Sequence, residues 1–564
     1  MKRIWISLFG AVLALGLGGC AGGDEGGDTV VSGARTPPGL PTLLAVRWQT
    51  DGGSAVGQAG FSGGDAGSIS ILSNAGAIVR LGKQTLPTPA KNLLATAGPT
   101  ITYADLVSML TPSISTTTAT FTLPVDTGFH LPANATLNLS DAGVGVIDTV
   151  VISSTQPIRI DGAVVTTRSS GLSVSLNLGH NGATELGLVV TGSINTSGAA
   201  LRDGGDLSLF SLSSVVLTGT VDSRGGAASA AMMVNGRQGG DLQITAQFGD
   251  VLLSAGAFSA RGGAAEGAGS GGDGASCFIQ SQGNSPADFH AQLLTSGGSA
   301  VSGAAGQGGN INVFWTGTGF AYTYLDSSGG STTGSGAAND AGSISLNAQS
   351  TTLKGACVLL ANGGSSISSF GGQGGAIQLV AYSFELARVQ ARSNGGSGNT
   401  GGDGDEIQFT IAAPPGAQVL DVVFDLASEG GDGVASGGDG GGIVGFSGNA
   451  VSGRFLNIQA TTAGGDGAVA GSGSVASNIF FEFGTLRDAT VSANTSGGNG
   501  ASAGDAGSAA LWVVTGSNLG FTVTANGGNG ADAGDGGVGT INFDSLKSFT
   551  HTVTANGGTG TTVN

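Results

Sequence analysis

Pairs of adjacent glycines recur along this chain at a spacing that a conventional globular core does not call for. They start at Gly225, Gly262, Gly297, Gly329, Gly363, Gly395, Gly430, Gly464, Gly497, Gly527 and Gly557, with successive differences of 37, 35, 32, 34, 32, 35, 34, 33, 30 and 30 residues. Four residues before each pair stands an apolar side chain, from Val221 and Phe258 through Val523 and Val553. Two before it stands a small one, from Ser223 and Ala260 to Ala525 and Ala555. That alternation is the period of a β-strand with one buried face. After each glycine-rich stretch a second alternating run begins, as in GGDLQITA, GGNINVFW and GGAIQLVA, and a short middle run such as SVVLTG follows. A unit of this size cannot bury its apolar face alone, whereas stacked copies can. The expected fold is all-β: a parallel β-helix solenoid with three short strands and one long Gly-rich loop per rung, rungs about 4.8 Å apart.

Composition agrees. Glycine supplies 109 of 564 residues, yet the hydrophobic fraction is 40% and mean hydropathy is +0.23, too apolar for a disordered chain. No Gly-X-Y period is present, which excludes collagen. A net charge of −18 repels phosphates and sets nucleic acid aside as a partner. Asparagine often precedes the glycine pair, at Asn362, Asn394, Asn526 and Asn556. Asparagine tolerates left-handed backbone and glycine adopts it freely, so Asn-Gly-Gly reads as a turn. Stacked copies would align these amides into ladders.

The pattern GG-x-I-x-L, then L-x-G, then V-x-A-x-GG, over residues 186–564, resembles the glycine-rich right-handed β-helix repeats of bacterial envelope proteins, whose fold is the pectin-lyase-like one. Handedness comes from that resemblance. Residues 43–185 hold a first rung (LAVRWQTDGG, a Gly-rich loop, GSISILS, AIVRLG) and then an irregular inserted or capping region. Within it TYADLVSML fits a short amphipathic helix with Thr102 and Asp105 in capping positions.

Residues 1–20, MKRIWISLFGAVLALGLGGC, combine Lys2 and Arg3 with an apolar run, as in an export signal. The ending Leu17-Gly18-Gly19-Cys20 resembles the bacterial lipobox. That resemblance implies that Cys20 is lipidated and becomes the mature N-terminus. With Ala21 following, it implies the outer membrane or cell surface in a Gram-negative host, with the membrane as a partner through acyl chains. Residues 21–42, rich in Gly, Asp and Pro, read as a flexible tether.

Candidate sites are few. GGNGAD near Asp532 partly fits a calcium-binding nonapeptide, and Asp432, Asp439, Asp466, Asp505, Asp532 and Asp535 recur in neighbouring loops. Calcium ligation by these carboxylates stands against simple solvated loop charge; no other cofactor or metal is indicated. Arg224 and Arg261 fall on one ladder, one rung apart, with Asp222 near, and form the best charged patch. His130, His180, His290 and His551 are scattered, and Cys277 and Cys357 read as buried thiols. Trp48, Trp315, Tyr322, Tyr324 and Trp512 are dispersed candidates for sugar stacking.

The expected role is a lipid-anchored envelope rod with a structural, adhesive or matrix-interaction function, without catalysis. Its expected partners are a cell-surface glycan or matrix protein, and other copies end to end, because the last rung lacks a visible cap. The alternatives are a polysaccharide lyase or glycoside hydrolase of the same fold, and a glycan-binding module without turnover.

Overall fold

Alternating apolar residues become parallel strands whose inward side chains stack rung upon rung. The computed structural model describes residues 46–560, apart from residues 57–59, 76–77, 81–84, 143–145, 169–172, 184–185, 229–234, 254–255, 283–288, 315–319, 412–417, 447–450 and 473–478. Nearly all described elements are strands, and they stack as a parallel β-solenoid. One inward file runs through Phe121, Ile152, Leu178, Leu209 and Ile244 on to Ile279, Val313, Leu346, Leu379 and Phe409, all buried, and joins a single continuous core. In the first rungs the three strands are separate and short. Farther along they fuse into one bent strand, as in Ile344–Leu360, Ile377–Arg392, Ser508–Thr524 and Val538–Thr554.

The bend is made by one residue per rung in the left-handed region: Leu386, Asp421, Phe455, Asp488, Asn518 and Ser548, with φ between 50° and 59°. Their strand neighbours pair in register, so these residues stack into a corner file. Each carries a cost of about 1–3 kcal/mol. Asn518 Nδ2 donates to Asp488 Oδ1 at 2.9 Å along this file.

The glycine pairs have a different use. Neither the four ladder asparagines nor the glycines that follow them adopt positive φ, so the chain leaves the sheet there without left-handed residues. Instead the outgoing and returning legs of each loop lie back to back. A Cβ built on Gly395 would stand 1.8 Å from Gly402 O, and one on Gly396 1.7 Å from Gly364 O. Only glycine permits that approach, and backbone bonds replace side-chain packing. Gly364 N–H donates to Asn339 O, Gly372 to Gly364, Gly396 to Gly372, Gly402 to Gly396, Gly431 to Gly402, at 2.8–2.9 Å. The same zigzag runs unbroken from Arg202 to Gly558. In a leg, one residue donates to the next rung, the following one donates across to the other leg, and the third faces water; Gly363, Gly364 and Ser365 illustrate the cycle. A repeat of three is that of a polyproline-II-type screw. The loops therefore form an ordered fin whose root is backbone packed on backbone, while farther out small side chains such as Ala55, Ala228 and Ala265 are buried in it. At its root the small residue two before the glycine pair clasps the returning leg: Thr295 Oγ1 donates to Gly309 O at 2.8 Å and Ser393 Oγ to Gly375 O at 2.8 Å.

The rung nearest the N-terminus is not at the end of the stack. It comprises β1 (Val46–Gln49), β2 (Ile69–Ser73) and β3 (Ile78–Arg80). β1 lies between Thr220–Asp222 and Gly256–Ser259, and β2 between Leu242–Ala246 and Cys277–Ser281. β3 continues the file of Val251–Leu253. After β3 a strap, described over residues 85–99, runs along the outside to Thr100–Thr102, five rungs from β1. Leu86 packs on Val189, Val216 and Leu252, Arg159 Nη1 donates to Leu86 O at 2.9 Å, and Lys91 pairs with Asp126 at 2.9 Å.

The end of the stack is instead covered by α1 (Tyr103–Met109). Thr102 caps it and forms a reciprocal capping box with Asp105, as the sequence predicts. Leu106 is buried, and Tyr103 packs edge-on to Phe121 with centroids 5.8 Å apart. At the opposite end Val538–Thr554 forms the last described rung, most of it exposed.

Candidate functional site

The polar files on the solenoid surface are the places where chemistry could be held, and each is bonded rung to rung. Asn362 Oδ1 accepts Asn394 N–H at 3.1 Å, Asn394 Oδ1 accepts Glu429 N–H at 3.0 Å, and Asn526 Oδ1 accepts Asn556 N–H at 3.1 Å. The ladder exists, with the amide oxygen serving the next backbone rather than a ligand. Burial pushes the Glu429 carboxyl up, Arg392 opposes this and Asp432 adds to it.

The loop aspartates follow the same rule. Asp432 Oδ1 accepts Asp466 N–H at 2.9 Å and Asp466 Oδ1 accepts Asn499 N–H at 2.6 Å on the outgoing leg. On the returning leg Asp439 Oδ1 accepts Ser472 N–H at 2.7 Å and Asp505 Oδ1 accepts Asp535 N–H at 2.8 Å. Asp532 sits at the loop tip, bridged to Ser502. These carboxylates run in parallel files and do not surround a point. Among the described residues no group of three or more His, Cys, Asp or Glu side chains is arranged to hold a metal ion.

Arg224 and Arg261 lie two rungs apart, because the rung of β1 intervenes and places Asp51 between them. Arg224 forks onto Asp222 through Nε at 2.9 Å and Nη2 at 2.7 Å, and Asp222 and then Asp51 favour its charged form. Asp51 Oδ1 accepts Arg261 N–H at 2.8 Å and the Ser259 hydroxyl. The ladder alternates in sign, with Arg224 paired to Asp222 of its own rung and the Asp51 carboxylate engaged by the Arg261 backbone and Ser259.

His130 meets Asp161 at 3.0 Å, beside Arg159 at 2.7 Å and Thr191 at 2.6 Å. Burial pushes Asp161 up, but the bonds from Thr191, Arg159 and His130 outweigh it and hold the carboxyl low. Asn92 of the strap bonds both backbone groups of His130, so this cluster fastens the strap. His180 is fully buried, 3.0 Å from Ser211 Oγ, and burial lowers its imidazole to about 4. His551 stacks on Phe521 in the last described rung, centroids 5.5 Å apart. Cys277 and Cys357 are free and buried.

Trp48 is wholly buried in β1; its Nε1 donates to Gly219 O at 2.7 Å, and its ring meets Phe258 edge-on at 4.2 Å. Trp512 is 47% exposed, edge-on to Phe480 at 5.4 Å, and in register with Glu482 and Asn542 on the adjoining rungs. A shallow groove of about 230 Å³ joins these to Phe543 and Asp544; a second of the same volume lies around Tyr382, Glu385 and Gln418. Both are smaller than an ordinary small-molecule pocket. Cys20, the tether 21–42 and Trp315 fall outside the described residues, as do the side chains of His290 and Tyr322.

No family model, curated protein or solved structure matches this chain.

Proposed function

We propose that the chain is a non-catalytic rod of the bacterial envelope, anchored through Cys20 to the outer membrane or cell surface, with a structural, adhesive or matrix-interaction role. The observation that carries this reading is the use of the polar files: carboxylates and amides that could have formed a reaction centre are engaged with the backbone of the next rung. A solenoid stiffened in this way suits a spacer or a display surface. The lipobox resemblance at Leu17–Cys20 supports the anchor, and the exposure of Val538–Thr554, the last described rung, supports end-to-end association with further copies. The glycine-rich β-solenoid also accords with pectin-lyase-like envelope repeats.

A second reading, glycan binding without turnover, is favoured by Trp512 exposed beside Glu482 and Asn542, since an indole face suits the apolar side of a sugar ring. Incubating residues 21–564 with acidic and neutral polysaccharides separates these readings from a lyase or hydrolase. Release of reducing or unsaturated ends would overturn the non-catalytic reading; retention without release would favour the glycan module. Independently, Cys20→Ser should move the protein from the membrane fraction to the soluble one, and its retention would refute the anchor.

A further inference from the structure

Apart from β1, β2 and β3, the described strands fall into two blocks, residues 100–253 and 256–560, and no strand of one pairs with a strand of the other. Thr220–Asp222 pairs with Ser193–Asn195 and β1; Leu242–Ala246 with Leu207–Ser211 and β2; Val251–Leu253 with Ser214–Leu217 and β3. On the far side Gly256–Ser259 and Cys277–Ser281 pair with β1 and β2. The glycine zigzag also crosses through this rung, from Arg237 to Gly53, Gly64 and Gly263.

This rung differs from its neighbours in two ways that match its surroundings. Trp48 takes an inward place held by Val221 and Phe258 on either side, with its N–H on Gly219 O. Asp51 takes the position before the glycine pair, where both neighbours have arginine. It thus carries the charge opposite to Arg224 and Arg261, and a different rung placed here would lack that match. Its covalent link onward is the external strap of 19 residues. Extended, these could span about 60 Å, whereas five rungs separate the ends by only about 24 Å. The link is longer than the span requires and is fastened on the outside at Leu86, Lys91 and Asn92, so the rung's position is set by its pairing and not by the length of the link.

We infer that the gap between the two blocks is a binding site for one β-coil. Residues 46–80 fill it within the chain, and the same segment of a second copy can fill it in their place. Recognition is by strand addition on both faces, with Trp48 as the apolar anchor and Asp51 as the charge that sets register.

The test uses the full chain with a specific protease site substituted at residues 95–98 of the strap, where Ala95, Thr96 and Gly98 are exposed. After cleavage the amino-terminal fragment should stay bound on size exclusion. A fluorescently labelled synthetic peptide of residues 43–82 in excess should then replace it at temperatures where the circular dichroism of the solenoid is unchanged. A peptide carrying Asp51→Arg should enter at least tenfold less, and its entry should recover in a chain carrying Arg224→Asp and Arg261→Asp. Release of the fragment only when the whole solenoid melts would overturn the inference, as would equal uptake of the two peptides. If the protease site prevents folding, the uncut chain provides the readout. Labelled wild-type peptide should be taken up on mild warming and the Asp51→Arg peptide should not; absence of uptake up to the melting temperature would again refute the site.

Discussion

Replacing Gly395 by alanine tests whether the fin depends on the absence of side chains. The new Cβ would lie 1.8 Å from Gly402 O and 2.3 Å from its carbonyl carbon. Ordinary contact needs more than 3 Å, so the legs must part by roughly 1.5 Å. Gly402 donates to Gly396 O at 2.9 Å and accepts from Gly431 N–H at 2.8 Å. A shift of that size stretches both bonds beyond hydrogen-bonding range. Each buried group left without a partner costs about 1–3 kcal/mol. Alanine returns about 0.4–1 kcal/mol by restricting the unfolded chain. The expected net loss is about 1–5 kcal/mol, concentrated in the fin. Gly557 provides the matched control: it holds the equivalent place in the last described rung, and a Cβ there meets nothing nearer than Gly534 O at 3.8 Å. Because a solenoid can open locally, the suitable assay is native-state hydrogen exchange. Gly395→Ala should speed exchange of the amides of Gly402 and Gly431 at least fivefold, while Gly557→Ala leaves them unchanged. Unaltered protection in Gly395→Ala would refute the packing argument.

Other perturbations reach the core. His180 has a folded pKa of about 4 against an ordinary value of 6.5, so the unfolded state takes up its proton first as pH falls. This contribution is fully present above pH 6.5 and is lost towards pH 4, on the order of 3 kcal/mol in all. In denaturant titrations His180→Gln should flatten the stability profile between those limits; an unchanged slope would count against it. Burial pushes the Cys277 thiol up to about 12 and Cys357 to about 11. Neither should react with a disulfide reagent at pH 8 until the chain unfolds, and fast labelling of the native protein would contradict the burial. Trp48→Ala removes a buried indole and leaves Gly219 O without its donor. It should cost about 3–5 kcal/mol by chemical denaturation, and a loss below 1 kcal/mol would mean the rung is not packed as described.

Much of the architecture could be read from local patterns. The apolar residue four before each glycine pair and the small one two before it are inward-facing in the structure because strand alternation is a local rule. Thr102 and Asp105 announced α1 for the same reason. What escaped was set by neighbours far away in sequence. The corner file uses Leu386, Phe455 and Ser548 in left-handed geometry, imposed by stacking and invisible to propensity. The glycine pairs suggested turns, whereas their requirement comes from the opposing leg. The position of β1 could not be inferred from its repeat, which resembles every other. Only beside Arg224, Arg261 and Phe258 do Asp51 and Trp48 gain meaning, and that placement sets the two arginines two rungs apart with an aspartate between them. The recurrence of the loop carboxylates is plain in the sequence, but their bonds to the next rung's backbone depend on the stacking.

The place of β1 and β2 within the stack also imposes an order on time. Cys277–Ser281, the last strand to pair directly with this rung, is synthesised some 230 residues after Val46. At about 5–20 residues per second, that interval is on the order of 10 to 50 s. During it, β1, the first of the described strands, has no finished place to go, and its apolar face and Trp48 stay uncovered. The block of residues 100–253 can close behind its helical cap as it emerges, because its pairings are local. The opening segment must wait until the chain beyond it exists and then return. Completion of the solenoid is thus its least local event, and the slowest step expected of its topology.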